Sequence, residues 1–298
     1  MSPANLFAAA FVLAAGAGTV HAQVSRVFVS VTGNDANICS DILTPCRTFA
    51  GGITQVDPQG EVIVIASGSY AGGTITKSVK INVAAGVVAF SGLPITVNPG
   101  AGGTVVLRGL TLKAATAGTG TGVTHQTGTL FLENMVVDGW QTGVSEEAAA
   151  ERLFVKGSVF RNQASYGVLI GGAGTLLFGI DRSFFENNGI AGLQISGATG
   201  RVSNSVMTRN QTGAAVNGAG SGAVATFQRC EVSSNTLQGL LAGNGATLRV
   251  SESTIVRNGT GLENQLDSST VESFGNNVIR GNVGGNNIVG TVATVSLQ

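Results

Sequence analysis

One five-residue string, Ser158-Val159-Phe160-Arg161-Asn162, returns in variant form to the end of the chain and constrains the fold more than any other feature. With its last residue as anchor, the returns are Gly139, Asn162, Asn187, Asn210, Asn235, Asn258 and Asn282, at spacings of 23, 25, 23, 25, 23 and 24 residues. A period of this size marks a stacked array in which each unit buries its apolar face only against its neighbours.

Aligned on the anchor, the turns form columns. Eight residues before it stand Phe131, Phe154, Gly179, Val202, Phe227, Val250 and Phe274, and three before it stand Val136, Val159, Phe184, Met207, Val232, Ile255 and Ile279. Both columns are expected to face a core. They lie an odd number of residues apart, so one unbroken strand would place them on opposite faces, and a bend must separate them. The column five before the anchor supplies it: Gly109, Asn134, Gly157, Arg182, Ser205, Cys230, Ser253 and Asn277. Glycine and asparagine tolerate the left-handed conformation that a one-residue bend requires.

A third strand follows each anchor, opened by Gly143-Val144, Gly167-Val168, Gly192-Leu193, Gly213-Ala214, Gly239-Leu240 and Gly261-Leu262. Three short strands in every roughly 24 residues predict an all-β fold, a single-stranded right-handed parallel β-helix of about ten rungs. Neighbouring rungs stack at about 4.8 Å. Two outward columns test the register: Arg108, Glu133, Lys156, Asp181, then Asn204, Arg229, Glu252 and Asn276; and Lys113, Asp138, Arg161, Glu186, then Arg209, Ser234, Arg257 and Gly281. The first four of each alternate in sign, as expected of cross-strand neighbours one turn apart.

The predicted organisation is a signal peptide at 1–22, a small N-terminal cap at 23–60 and the β-helix at 61–298. Leu6 to Val20 is apolar and Val20-His21-Ala22 is a small-residue cleavage pattern, although no Lys or Arg precedes it, so a short membrane anchor is the other reading. Export to the cell surface, the medium or a periplasm follows. Cys39 and Cys46 flank the turn at Pro45 and can close a small disulfide loop. Cys230 has no evident partner and reads as a buried small residue. Within the cap, Val24 to Val31 alternates as a strand and Arg47 to Val56 reads as one short helix.

With 43% hydrophobic and 11% charged residues the chain can bury a large core. Sixteen basic and sixteen acidic residues cancel, which leaves no field for nucleic acid or an anionic membrane. No later stretch is long and apolar enough to span a bilayer.

Over about residues 24 to 298 the chain resembles the right-handed β-helix proteins of the pectin-lyase-like superfamily. Its opening, Val27-Phe28-Val29-Ser30-Val31-Thr32-Gly33-Asn34-Asp35 followed by Pro45-Cys46-Arg47-Thr48-Phe49, is similar to the first-turn cap of many exported bacterial members. The superfamily includes polysaccharide lyases, glycoside hydrolases, epimerases, adhesins and phage tailspikes, so the resemblance implies a fold and leaves activity to be argued from a site. Its enzymes acting on acidic polysaccharides usually work on the face of the strand after the corner, with Ca²⁺-binding acids beside an Arg or Lys base, or with two or three aspartates. Here the corresponding outward column reads Thr124, Ser145, Leu169, Gln194, Ala215, Leu241 and Glu263, with no basic residue and no aspartate. The Asn-Thr-Asp, Asp-Asp and Gly-His-Gly groupings of the hydrolases are absent too, so no catalytic residue carries over.

Three local groups remain. His125 and Glu146 fall on adjacent turns with Glu147 beside them, a possible acid–base set; a regular strand turns His125 inward, and the Ala- and Glu-rich stretch from Glu146 to Arg152 is expected to bulge as a loop. Trp140 and Tyr166 stand at successive corners as a possible platform for a sugar ring. Asn34, Asp35 and Asp41 near the cysteines could bind Ca²⁺, though two carboxylates are few for its roughly six to eight oxygen ligands, and no other cofactor is expected. The reading is an exported, non-catalytic β-helix that binds a polysaccharide or cell-surface glycan or acts as a scaffold, as a monomer or associated end to end. The alternative is a polysaccharide lyase or glycoside hydrolase working around His125, Glu146 and Glu147.

Overall fold

The structure, a computed structural model, describes residues 24–147, 150–171, 176–218, 222–265 and 268–296. The expected leader at 1–22 lies outside the described residues. Three sheets, all parallel, wind into a solenoid: one of twelve strands from Arg26–Val29 to Ala293–Thr294, a second of ten from Gly68–Ser69 to Val278–Arg280, and a third of ten from Gly73–Ile75 to Ile288–Val289. A representative turn runs through Gly128–Glu133, Val136–Asp138 and Trp140–Glu146, and the chain then returns to stack Ala150–Lys156 on Gly128–Glu133.

The register corrects the columns. In the first sheet Leu132, Val155, Ile180, Val202, Phe227 and Val250 form the inner row, whereas Phe131 and Phe154 point outward between buried neighbours. In the second sheet the inner row is Val137, Phe160, Phe185, Met207, Val232 and Ile255, so Val136, Val159 and Phe184 also face out. The cause is a one-residue slip in the anchor. Gly139, Asn162 and Asn187 sit at the left-handed corner, but in later turns that place belongs to Arg209, Ser234, Arg257 and Gly281. Asn210, Asn235, Asn258 and Asn282 lie one position further on and are buried. The other bend slips in the same way: Asn134, Gly157 and Arg182 are left-handed, followed by Asn204, Arg229 and Glu252 in place of Ser205, Cys230 and Ser253.

The buried positions beside each corner form two polar ladders inside the rod. Gln163, Asn188, Asn210, Asn235, Asn258 and Asn282 occupy successive turns, and each asparagine oxygen accepts the backbone N–H of the preceding member, at 2.9–3.2 Å. Their amide nitrogens donate to carbonyls of the strands before, as Asn235 does to Met207 at 3.1 Å. At these corners the sharp turn leaves the backbone N–H of each preceding member paired with a ladder amide. The second ladder uses Ser158, Ser183, Ser205, Ser253 and Asn277, with Cys230 in a serine's place. The Cys230 thiol donates to the Gln228 carbonyl at 3.4 Å, and burial pushes it up to about 11, which makes it inert at neutral pH.

Volume is balanced between turns. A Cβ on Gly200 would run into the ring of Phe178 one turn below, so the glycine makes room for that ring. Charged rows lie outside as expected, with Arg108–Glu133 at 2.6 Å and Arg161–Asp138 at 3.2 Å. At the N-terminal end the helix Phe49–Gln55, capped by the Thr48 hydroxyl, lays Phe49 and Ile53 on the core, and the disulfide-closed Cys39–Cys46 loop pairs with the outer edge of Arg26–Val29. That edge strand is thereby covered.

Candidate functional site

His125 and Glu146 end adjacent strands of the third sheet and pair in register, as the turn spacing implied. Both side chains are 0% exposed, and His125 Nδ1 lies 2.5 Å from Glu146 Oε2. His125 Nε2 contacts the Thr127 carbonyl at 3.0 Å. Burial pushes the Glu146 carboxyl up, while the hydrogen bond and charge of His125 oppose it. Glu147 points to solvent and its carboxylate accepts from Gln126 at 3.4 Å. The acid–base trio is therefore split: two members face the interior and one faces out. The expected loop from Glu146 to Arg152 is also short, because Glu146 closes one strand and Ala150 opens the next.

Trp140 is 4% exposed and belongs to the core. Its indole N–H donates to the Leu112 carbonyl at 3.3 Å and its backbone N–H to Gln163, so it begins the amide ladder and offers no ring to a sugar. Tyr166 is half-buried and stands without it. In the cap, Asp35 accepts from the Arg47 and Thr48 N–H groups at 2.7 and 2.9 Å and from the Thr48 hydroxyl, and Asp41 accepts from Leu43. These oxygens hold turns and a helix start, and no cluster of three acidic, histidine or cysteine groups suited to a metal occurs among the described residues.

The outer face of the first sheet carries Phe131, Phe154 and Gly179, which the sequence columns place facing the core. Successive turns present Lys80, Val106, Phe131, Phe154, Gly179 and Arg201 in one row. Phe131 and Phe154 stack with ring centroids 4.9 Å apart and planes inclined by 21°. The row continues onto Gly179, where a Cβ would lie 3.1 Å from the Phe154 ring. The result is a recess of about 300 Å³ lined by the two rings and the glycine together with Glu133, Lys156, Asp181 and Arg201. Two more recesses, of about 310 and 540 Å³, extend the same face past Val106 and Lys80 to Glu61. From Lys80 to Arg201 the row covers five steps, about 24 Å at the strand spacing.

Charge along this face is uneven. Glu61 pairs with Arg26 at 2.9 Å and Glu133 with Arg108 at 2.6 Å. Asp181 accepts from Asn204, Ser203 and Arg182, and the Asn204 bond above all holds its carboxyl below the ordinary range. Lys80, Lys156 and Arg201 make no ion pair among the described residues; Arg201 donates to the Gln228 side chain at 2.7 Å. The carboxylates on this face are hydrogen-bonded or ion-paired, whereas these three cations have no carboxylate partner among the described residues and lie next to the aromatic pair.

The sequence held one sign of this face. Glu133 and Lys156 alternate in charge and so point outward; Phe131 and Phe154 lie two residues before them on the same strands, and strand parity puts them on the same side.

Comparison with known proteins agrees with the fold. The family described as a right handed beta helix region matches residues 115–298, and the chain belongs to that family. Among solved structures, the pectate lyase Pel9A is similar at 16% identity with a TM-score of 0.69, over 89% of this chain and 78% of that one. A rhamnogalacturonan lyase is similar at 12% identity with a TM-score of 0.62, over 91% and 87%. The GH136 lacto-N-biosidase from Eubacterium ramulus follows at 10% identity and a TM-score of 0.50, over 91% and 68%. Identities this low establish a common fold alone. No curated protein matches the chain in sequence.

Proposed function

We propose that this is an exported β-helix protein that binds an extended glycan along the outer face of its first sheet without cleaving it. The observation that carries the reading is the Phe131–Phe154 stack continued onto Gly179. Sugar rings present apolar C–H groups, and the two rings, stacked face to face with Phe154 leaning over Gly179, offer their outward edges as an apolar surface against which such groups can pack. Lys80, Lys156 and Arg201 stand beside it to bond hydroxyl or carboxylate groups. The Cys39–Cys46 disulfide and the absence, among described residues, of a helix long and apolar enough to cross a membrane are compatible with an extracellular setting. An acid–base role for His125 and Glu146 is disfavoured because both side chains are enclosed by the solenoid.

The test is binding to a panel of neutral and uronic-acid polysaccharides, with and without Ca²⁺, alongside assay for unsaturated or reducing ends. Saturable binding without product, weakened at least tenfold by Phe154→Ala and by Gly179→Leu, is expected. Binding unaffected by both variants would remove this face from the function. Product release abolished by Glu146→Gln or His125→Ala would make the protein an enzyme.

A further inference from the structure

We propose that His125 and Glu146 form a one-proton brace: a single proton held between imidazole Nδ1 and carboxyl Oε2 inside the solenoid, which makes the fold most stable in mildly acidic surroundings. The geometry limits the protonation states. The Thr127 carbonyl 3.0 Å from Nε2 can only accept, so Nε2 carries a hydrogen throughout. At 2.5 Å, Nδ1 and Oε2 need one proton between them, either as carboxylic acid donating to imidazole or as imidazolium donating to carboxylate. Removing it would leave a carboxylate facing a nitrogen lone pair with no access to water, and Oε1 has no hydrogen-bond partner among the described residues. Adding a second would leave a positive charge in the core with no counterion.

The surroundings do not supply another charge. The adjacent strands Ile95–Val97 and Tyr166–Gly171 carry no charged side chain, and the inner rows across the rod are Leu107, Leu112, Leu130, Leu132 and Val137. Glu147, Glu151 and Arg152 belong to the same turn but are not buried; Glu147 accepts from Gln126, and Glu151 from the Gly102 N–H. Through the Thr127 carbonyl the brace reaches the residue next to a register shift of the first sheet, between Gly128 and Thr129. It ties the two turns that lead into the strands of Phe131 and Phe154, yet its proton count does not depend on what the outer face binds.

The consequence follows from counting protons. In the unfolded chain the imidazole takes its proton near pH 6.5 and the carboxyl near 4.3, so the two groups hold none above about 6.5, one between, and two below about 4.3. The folded pair holds one throughout. Stability from this pair is therefore level between about 4.3 and 6.5; it falls as pH rises above that window because folding must take up a proton, and falls as pH drops below it because folding must release one. Each flank changes the unfolding equilibrium constant about tenfold per pH unit.

The full chain has two histidines, so His21→Gln leaves His125 as the one imidazole for ¹⁵N NMR. The expected result is an Nε2–H retained throughout and no titration between pH 5 and 8; an ordinary titration near 6.5 would overturn the brace. Urea unfolding across pH 4–9 supplies the second measurement, read as wild type minus Glu146→Gln. Glutamine also donates to Nδ1 but brings no titrating proton, so its pair should lose the alkaline flank and move the acid flank from about 4.3 up to about 6.5. A difference that does not vary with pH would reject the proposal even if both proteins fold.

Discussion

The turns from Ser158 to Asn282 and those before them follow the same three-sheet plan but fill their corners differently. In the later turns each corner is occupied by a serine, cysteine or amide that bonds the backbone of its neighbour. In the earlier turn the same places hold Met135 and Trp140, both buried in the core. The earlier part also contains the register shift, the buried His125–Glu146 pair and the outward phenylalanines. Ladders make a turn repeatable because every buried polar group finds its partner one turn away. Where they stop, the core must be filled by individual shapes, and side chains that do not repeat become possible.

Substitutions can break this comparison, beginning with the register. Phe160→Asp buries an unpaired carboxylate in the inner row and should cost about 4 kcal/mol or more, whereas Val159→Asp, one residue away but facing out, should cost about 1 kcal/mol or less. Urea unfolding of the two variants checks this; equal costs would return the slipped register. Asn235→Ala removes one ladder amide, leaving the Met207 carbonyl and the Asn210 N–H without their partner, and should cost about 2–3 kcal/mol by the same measurement. Loss of the Cys39–Cys46 link, which closes a loop of separation seven, should lower stability by about 2 kcal/mol, seen as a lower Tm after reduction or in Cys39→Ser. Arg108→Ala, in an exposed row, should change stability by no more than about 0.5 kcal/mol, with any effect fading in high salt.

Much of the fold was legible from residue spacing. The repeat length, the three strands, the bends at Gly109, Asn134, Gly157 and Arg182 and the first four members of each charged row all stand in the structure; the later bends fall one residue earlier than expected. The slip arose because asparagine serves two adjacent places, at the left-handed corner in Asn162 and Asn187 and in the buried ladder from Asn188 onward. Both uses exploit the same short amide, one for its backbone tolerance and the other for its hydrogen bonds. The candidate site was less legible because Leu130-Phe131-Leu132 and Leu153-Phe154-Val155 are apolar throughout, and hydrophobicity alone does not give their parity.

The sequence by itself determined the winding: a repeat near 24 residues in three short strands has one way to bury its apolar side chains, by stacking each turn on the next. It also determined that His125 and Glu146 would meet, since equal spacing makes residues one period apart neighbours. Only the tertiary structure decided which face each side chain took. Inside and outside differ by a single residue of register, and that residue is fixed by corner hydrogen bonds running between turns. For the same reason Trp140 lies in the core, the carboxyl of Glu146 is sealed against an imidazole, and Phe131 and Phe154 lie open on the surface.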